Sequence, residues 1–398
     1  MRSLLLLATV STLAACSGGG PTTVGGNAPP QGPGGVPGQG GHSFVNPTEK
    51  KTYSAIGGVH SYKYFTQDNG TTTQGGQLYA GDASTARNSG ITISYDPRDA
   101  IFQIEVAAPN ALVAQSFRFQ DPVHRTDFGG AAGPQEGTPE LNAAGVQYLE
   151  AGGSAGTLVY DLAQSNTFPV GNDGASRSVG TFFYQKPGTE TRYVTFAGFV
   201  RNATTVAVTD DGNGGTFLRQ NHVLERGAFA YGERSANSVV PRTGTGTFTG
   251  PMAASMVYNP QLDADAGTPT YFQWMDGRAT TIVDFAANSF TLGLTGTVMA
   301  PQFDIFTSRD FVLQAGAAFN ASGDGGIDLV NAGGFVGQFS EAFFTQPGGA
   351  RLDVNIAGSS IDGAFFGPAA EEVGGGFRIV GGTPDERIDI LGAFTGAR

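Results

Sequence analysis

One cysteine, Cys16, stands in 398 residues, so a disulfide within the chain is excluded and packing must hold the folded part together. Histidine is equally sparse. His42, His60, His124 and His222 are far apart, with neither cysteine nor paired carboxylates at metal-ligand spacing beside them, and each is expected to be a surface or linker residue rather than a ligand. No Gly-x-Ser-x-Gly elbow or phosphate loop sits between a strand and a helix, so an enzyme is not expected, and neither a metal nor a cofactor is called for. Lysine and arginine total 22 against 34 acidic residues, a net charge of −12. The cations do not cluster, which disfavours nucleic acid and anionic lipid as partners. Outside the first residues there is no apolar stripe of period 3.6 longer than two or three turns, so helix is scarce.

What is present begins with Arg2, an apolar run from Leu4, and small residues ahead of Cys16. Leu13-Ala14-Ala15-Cys16 resembles the lipobox of bacterial lipoprotein signals, with residues 1–15 as the signal peptide and Cys16 as the acylated anchor. The run is too short to span a bilayer as a helix. Several acyl chains, at about 0.8 kcal/mol per buried CH₂, make a firm attachment. Ser17, in place of an aspartate, points by the same resemblance to the outer membrane. Ser17 to Pro47 are rich in Gly, Pro, Asn, Gln and Ser, with little to bury, and residues 16–50 are expected to form a disordered tether.

The roughly 350 residues beyond the tether suffice for two domains with real cores. Sixty-two glycines, about double the usual share, accompany runs of Thr, Phe and Val and point to many short, curved strands. In residues 51–240 the alternating segments Tyr62–Phe65, Ile91–Tyr95, Ile101–Val106, Thr181–Tyr184 and Arg192–Val200 predict a small antiparallel sheet. Asp96-Pro97-Arg98-Asp99 should close a hairpin, and Lys186-Pro187-Gly188 should begin the turn joining the last two segments. Asp210 to Gly215 reads as a hairpin loop. Ser235–Pro241 is the expected boundary.

From 241 to 398 the strand signals are Gly244–Gly250, Thr280–Phe285, Ser289–Val298, Phe311–Phe319, Phe335–Phe339, Ile361–Phe366, Phe377–Val380 and Ile388–Phe394. Ala286-Ala287-Asn288 should be the tight link between the second and third. Eight antiparallel strands can close into a barrel with no free edge. A membrane-spanning barrel is disfavoured by strands shorter than about nine residues, by the lack of paired aromatic girdles, and by a lipid anchor that would be redundant. In Ile361 to Gly367, Ile361, Gly363, Phe365 and Gly367 share one face, as a tightly curved wall requires. Pro368 is expected to open a short helical turn, Glu371 and Glu372 to satisfy its backbone donors, and Gly374 to Gly376 to end it.

With these residues in view the C-terminal half resembles the β-barrel domain of the transferrin-binding protein B family of surface lipoproteins. The matching pieces are Gly246-Thr247-Phe248-Thr249-Gly250, Val283-Asp284-Phe285 with Phe290-Thr291-Leu292 and Gly296, Gly363 to Gly375, and Leu391-Gly392-Ala393-Phe394. Within the third piece, Gly363, Phe365, Gly367, Pro368, Glu372, Gly374 and Gly375 are expected to be structural. The resemblance implies an all-β protein, an N-terminal antiparallel handle domain followed by a C-terminal eight-stranded antiparallel β-barrel. It also implies a lipid-anchored protein, exposed on the cell surface, that captures a protein or an iron- or haem-linked ligand through loops. The chain has room for one handle-plus-barrel lobe where the full family has two, so the namesake ligand is not carried over. A structural or adhesive envelope lipoprotein with no soluble ligand is the alternative.

Tyr271, Phe272, Trp274 and Met275, in the stretch ahead of the second barrel strand, are the expected ligand contacts, because exposed aromatics with an adaptable methionine anchor many interfaces. Their packing into the barrel or against the handle is the alternative, and it is the favoured of the two. Tyr62, Tyr64 and Phe65 share the ambiguity. Asp263-Ala264-Asp265-Ala266-Gly267 has a faint likeness to a calcium loop, but its glycine is misplaced and Trp274 stands where a bidentate glutamate is needed.

Overall fold

The computed structural model describes residues 43–67, 75–77, 89–106, 115–120, 137–153, 174, 176–210, 212–259, 271–300, 313–383 and 386–398. Cys16, His42, His124, Phe311 and the Asp263–Gly267 segment lie outside these residues, as do the side chains of Tyr62, Tyr64 and Phe65.

The protein is all-β, with two antiparallel sheets. The first contains β1 (Lys51–Ser54), β2 (Ile56–Gln67), β3 (Gly75–Gln77), β4 (Ile91–Asp96), β5 (Ile101–Val106), β6 (Gln115–Gln120), β7 (Val146–Gly153), β8 (Ser176–Gln185), β9 (Val194–Asp210) and β10 (Thr216–Gly232). Their order is β1-β4-β5-β6-β7-β8-β9-β10-β2-β3, a larger sheet than the sequence suggests. The expected hairpins are present. Ile91 pairs with Val106 and Asp96 with Ile101, while Thr181 pairs with Val200. Asp210 opposes Thr216 across the glycine-rich loop.

The second sheet contains β11 (Thr245–Asn259), β12 (Tyr271–Asp284), β13 (Ser289–Val298), β14 (Ala318–Asp328), β15 (Gly334–Thr345), β16 (Arg351–Asp353), β17 (Asn355–Phe366), β18 (Glu372–Thr383) and β19 (Glu386–Ala397). Pairing of β14 with β15 closes eight long strands into a barrel, with the short β16 beside β15. Alternation explains the wall. In β13, Phe290, Leu292 and Leu294 are buried, while Thr291, Gly293 and Thr295 are exposed, the period-two pattern of a half-buried strand. Phe248, Phe319, Phe335, Phe344, Phe365, Phe377 and Phe394 join them in one interior cluster, so the cylinder is filled with side chains.

Three local expectations are corrected. The strand expected at Phe311–Phe319 is Ala318–Asp328. Gly323 and Gly325 look like turn residues, yet they are strand positions with Ile361 and the Phe290 ring close above the bare backbone. Next, no helical turn follows Pro368. Register runs to Phe366↔Glu372, leaving five residues for the reversal; Gly367 takes φ +89 there, and Gly374 and Gly375 continue as strand in β18. Ile361, Gly363 and Phe365 do share a face, and a Cβ on Gly363 would come within 2.1 Å of the Phe335 ring. Finally, the eight barrel strands are 10 to 15 residues long, so shortness does not argue against a membrane-spanning barrel. The facing does: apolar residues point inward and β13 turns threonines outward, the reverse of a lipid-exposed wall.

Candidate functional site

The two sheets meet along a buried seam built from β2, β9 and β10 on one side and β11, β12, β18 and β19 on the other. Ile56, Phe183, Val194, Phe196, Val200, Ala253, Trp274, Phe366 and Leu391 form its apolar floor. Polar side chains are set into that floor, and two of them, His60 and Glu372, have partners across it.

His60 of β2 is fully buried. Its Nδ1 lies 3.2 Å from Ser255 Oγ on β11, and its Nε2 lies 3.3 Å from Asp389 Oδ1 on β19. Arg378 of β18 grips the same carboxylate, donating from Nε to Oδ1 at 3.0 Å and from Nη2 to Oδ2 at 2.6 Å. Burial alone would raise the Asp389 pKa. His60 and Arg378 outweigh it and hold the carboxyl well below its ordinary range. Serine, histidine and aspartate thus stand together, but with the two ring nitrogens exchanged relative to a hydrolase triad, where Nε2 faces the serine and Nδ1 the aspartate. Their exposures of 0%, 0% and 1% leave no path for a substrate, so the cluster is a lock between the sheets rather than a nucleophile.

Glu372 makes the second lock. Its carboxylate accepts the backbone N–H groups of Arg192 at 2.6 Å, Tyr193 at 2.8 Å and Val194 at 3.1 Å, three successive donors forming a concavity suited to an anion. Burial raises its pKa against the lowering effect of those bonds. The expected donors of the local turn go instead to Glu371, whose Oε2 accepts from Ala369 N at 2.9 Å. Gly367 and Gly374 serve the same contact: a Cβ on either would strike Tyr193 or Val194 at 2.6 Å. The most distinctive sequence motif in the chain is therefore the barrel's socket for the handle. The connector is pinned here too, with Ser235 N donating to Phe365 O and Gly367 N to Glu233 O, both at 2.9 Å.

The expected contact residues lie in β12, not in a loop ahead of it. Trp274 is 1% exposed, donates its indole N–H to Gly137 O at 2.8 Å, and meets Phe183 edge-on at 5.4 Å. Phe272 packs with Leu224 and Val257 beneath the Arg226 guanidinium, 5.3 Å from the ring centroid. Met275 points into the barrel interior. The exposure expected of these three is thus corrected; alternation along β12 sends Trp274 to the seam and Met275 inward. Tyr271 opens the strand, and its side chain is outside the described residues. Asp276 accepts Asn142 N at 2.7 Å, and Arg278 pairs with Glu190 at 2.9 Å, extending the seam to the handle's loops.

His60 and His222 are also corrected, from surface to buried. Thr204 Oγ1 lies 3.0 Å from His222 Nδ1, and burial lowers the imidazole pKa to about 3. Sequence reasoning missed Asp389 altogether, although an acid between Ile388 and Ile390 in an apolar run was a signal that it must find a buried partner.

No family profile and no curated protein matches the chain. Among solved structures it is similar to a mutant of the vaccine antigen transferrin binding protein B from Haemophilus parasuis Hp5, at 11% identity and a TM-score of 0.29, covering 87% of this chain and 77% of that one. Intact Ap-TbpB, with its N and C lobes, is similar at 12% identity and a TM-score of 0.29, over 88% and 79% of the two chains. The protein from serogroup B Neisseria meningitidis follows at 11% and 0.22, over 88% and 77%. These loose likenesses do not make the chain a member of that family.

Proposed function

We propose that the chain is a binding lipoprotein of the bacterial outer membrane, anchored through acylated Cys16 and exposed on the cell surface. In this reading residues 1–15 are removed, residues 16–50 carry the tether, 51–240 form a handle and 241–398 a barrel. Loops on that double scaffold capture a protein ligand; an iron- or haem-linked ligand is the narrower form of the same idea. Support comes from the lipobox-like Leu13-Ala14-Ala15-Cys16, the polar stretch after it, and the motif resemblance at Gly363–Gly375. The observation that carries it is the filled cylinder locked to the handle at Asp389 and Glu372. A body so packed offers outer faces and loops to a partner and changes little on binding. His60 and His222 are committed to the interior, so a haem would need other ligands.

The test is capture. Immobilised full chain should retain one defined protein from growth medium or serum, saturably and after a high-salt wash. Stable association with envelope components alone would replace the proposal with a structural or adhesive role.

A further inference from the structure

The segment before the first strand is folded against the handle, earlier than the tether's expected end. Phe44 is 7% exposed and meets Tyr53 edge-on at 5.3 Å and Tyr231 at 5.6 Å between ring centroids. With Val45 and Pro47 it makes a strap over a cavity of about 100 Å³. A second group of rings also lines that cavity: Tyr95 lies 4.5 Å from Phe102, and Phe102 lies 4.8 Å from Tyr184. Lys186, exposed, and Pro187 complete the lining.

Six aromatic rings around one small space define a chemistry. Ring faces carry negative quadrupole charge, and a box of them attracts a cation, best one with little hydration to lose. The same wall already holds such a contact, with Lys51 Nζ 5.5 Å from the Tyr53 ring centroid and paired to Glu233 at 2.6 Å. Tyr53 also donates its hydroxyl to Glu233 at 3.2 Å, which sets a carboxylate behind the cage. Burial, and for Tyr53 the Glu233 charge, push the Tyr53 and Tyr231 phenols upward, so they remain neutral. A quaternary ammonium has no N–H to satisfy and suits these walls better than a primary amine. The volume, the room of roughly three waters, matches one trimethylammonium group and is far too small for a porphyrin. Lys186 at the rim supplies a cation for an anionic group attached to it.

We propose that this cavity binds phosphocholine, with the trimethylammonium among Tyr95, Phe102, Tyr184 and Tyr231 and the phosphate at Lys186. The site is independent of protein capture by the loops.

The experiment uses the full chain in a sugar-headgroup detergent and saturation-transfer NMR with three probes: phosphocholine, choline, and the uncharged tert-butyl isostere of choline. Both cationic probes should bind about tenfold or more tightly than the isostere. Tyr184→Leu should weaken both, Tyr184→Phe should restore them, and Lys186→Gln should weaken phosphocholine alone, with the thermal midpoint of each variant confirming its fold. Sedimentation with phosphatidylcholine vesicles, set against phosphatidylglycerol vesicles, separates a lipid headgroup from the free compound as the source. Equal binding of the uncharged isostere, or no transfer to any cationic probe at millimolar concentration, overturns the proposal.

Discussion

Replacing Asp389 by alanine should loosen the handle from the barrel before it unfolds either. The carboxylate is 1% exposed and faces His60 at 3.3 Å and Arg378 at 2.6 Å. Its removal leaves the buried His60 imidazole and the partly exposed Arg378 guanidinium facing an empty place. Breaking a buried pair on one side costs about 3–5 kcal/mol. Arg378 and Asp389 both belong to the barrel, so the share of that loss that falls on the contact between the sheets is the share carried by His60, which belongs to the handle. The single tryptophan makes this measurable, since Trp274 sits in the seam against Phe183 and Gly137. In urea, wild-type fluorescence and far-UV circular dichroism should change together. In Asp389→Ala the fluorescence transition should move to lower urea than the dichroism transition. A loss below about 1 kcal/mol, the range of an exposed pair, would refute the lock.

Two further outcomes follow from single side chains. His222 has a folded pKa of about 3 against an unfolded value near 6.5, so its stabilising contribution is complete above pH 6.5 and is lost as pH falls toward 3; at pH 5 the loss is about 2 kcal/mol. Glu372 has the opposite sign, its raised pKa making stability fall as pH rises from its ordinary carboxylate value. The urea midpoint of wild type should therefore drop more between pH 7 and pH 5 than that of His222→Asn, and equal drops would contradict the assignment. Gly363→Ala places a Cβ 2.1 Å from the Phe335 ring, an overpacking worth roughly 1–3 kcal/mol; the thermal midpoint should fall, and Phe335→Leu in the same chain should restore much of it.

Much of the fold was legible because alternation is local. Phe290, Leu292 and Leu294 announce an inward face, and Asp96-Pro97 announces a turn. The glycine-rich strands were not legible. Gly323-Asp324-Gly325-Gly326 has the composition of a loop, and only the Phe290 ring and Ile361, far away in sequence, make its bare backbone a strand. The seam was hidden for a related reason. Glu372 satisfies donors 178 to 180 residues away, and His60 meets Ser255 across 195. Spacing along the chain contains no trace of such pairings. Trp274 misled because an aromatic beside a methionine suits an interface, and the interface it serves is internal.

Capture from outside requires the folded body to stand on the outside. The most direct measurement is protease shaving of intact cells that express the full chain, with Cys16→Ser as the unanchored comparison. Surface display predicts that protease releases a folded fragment beginning near Ser43 from intact cells, and that the Cys16→Ser chain leaves the cell surface. Cleavage only after the outer membrane is permeabilised would contradict it.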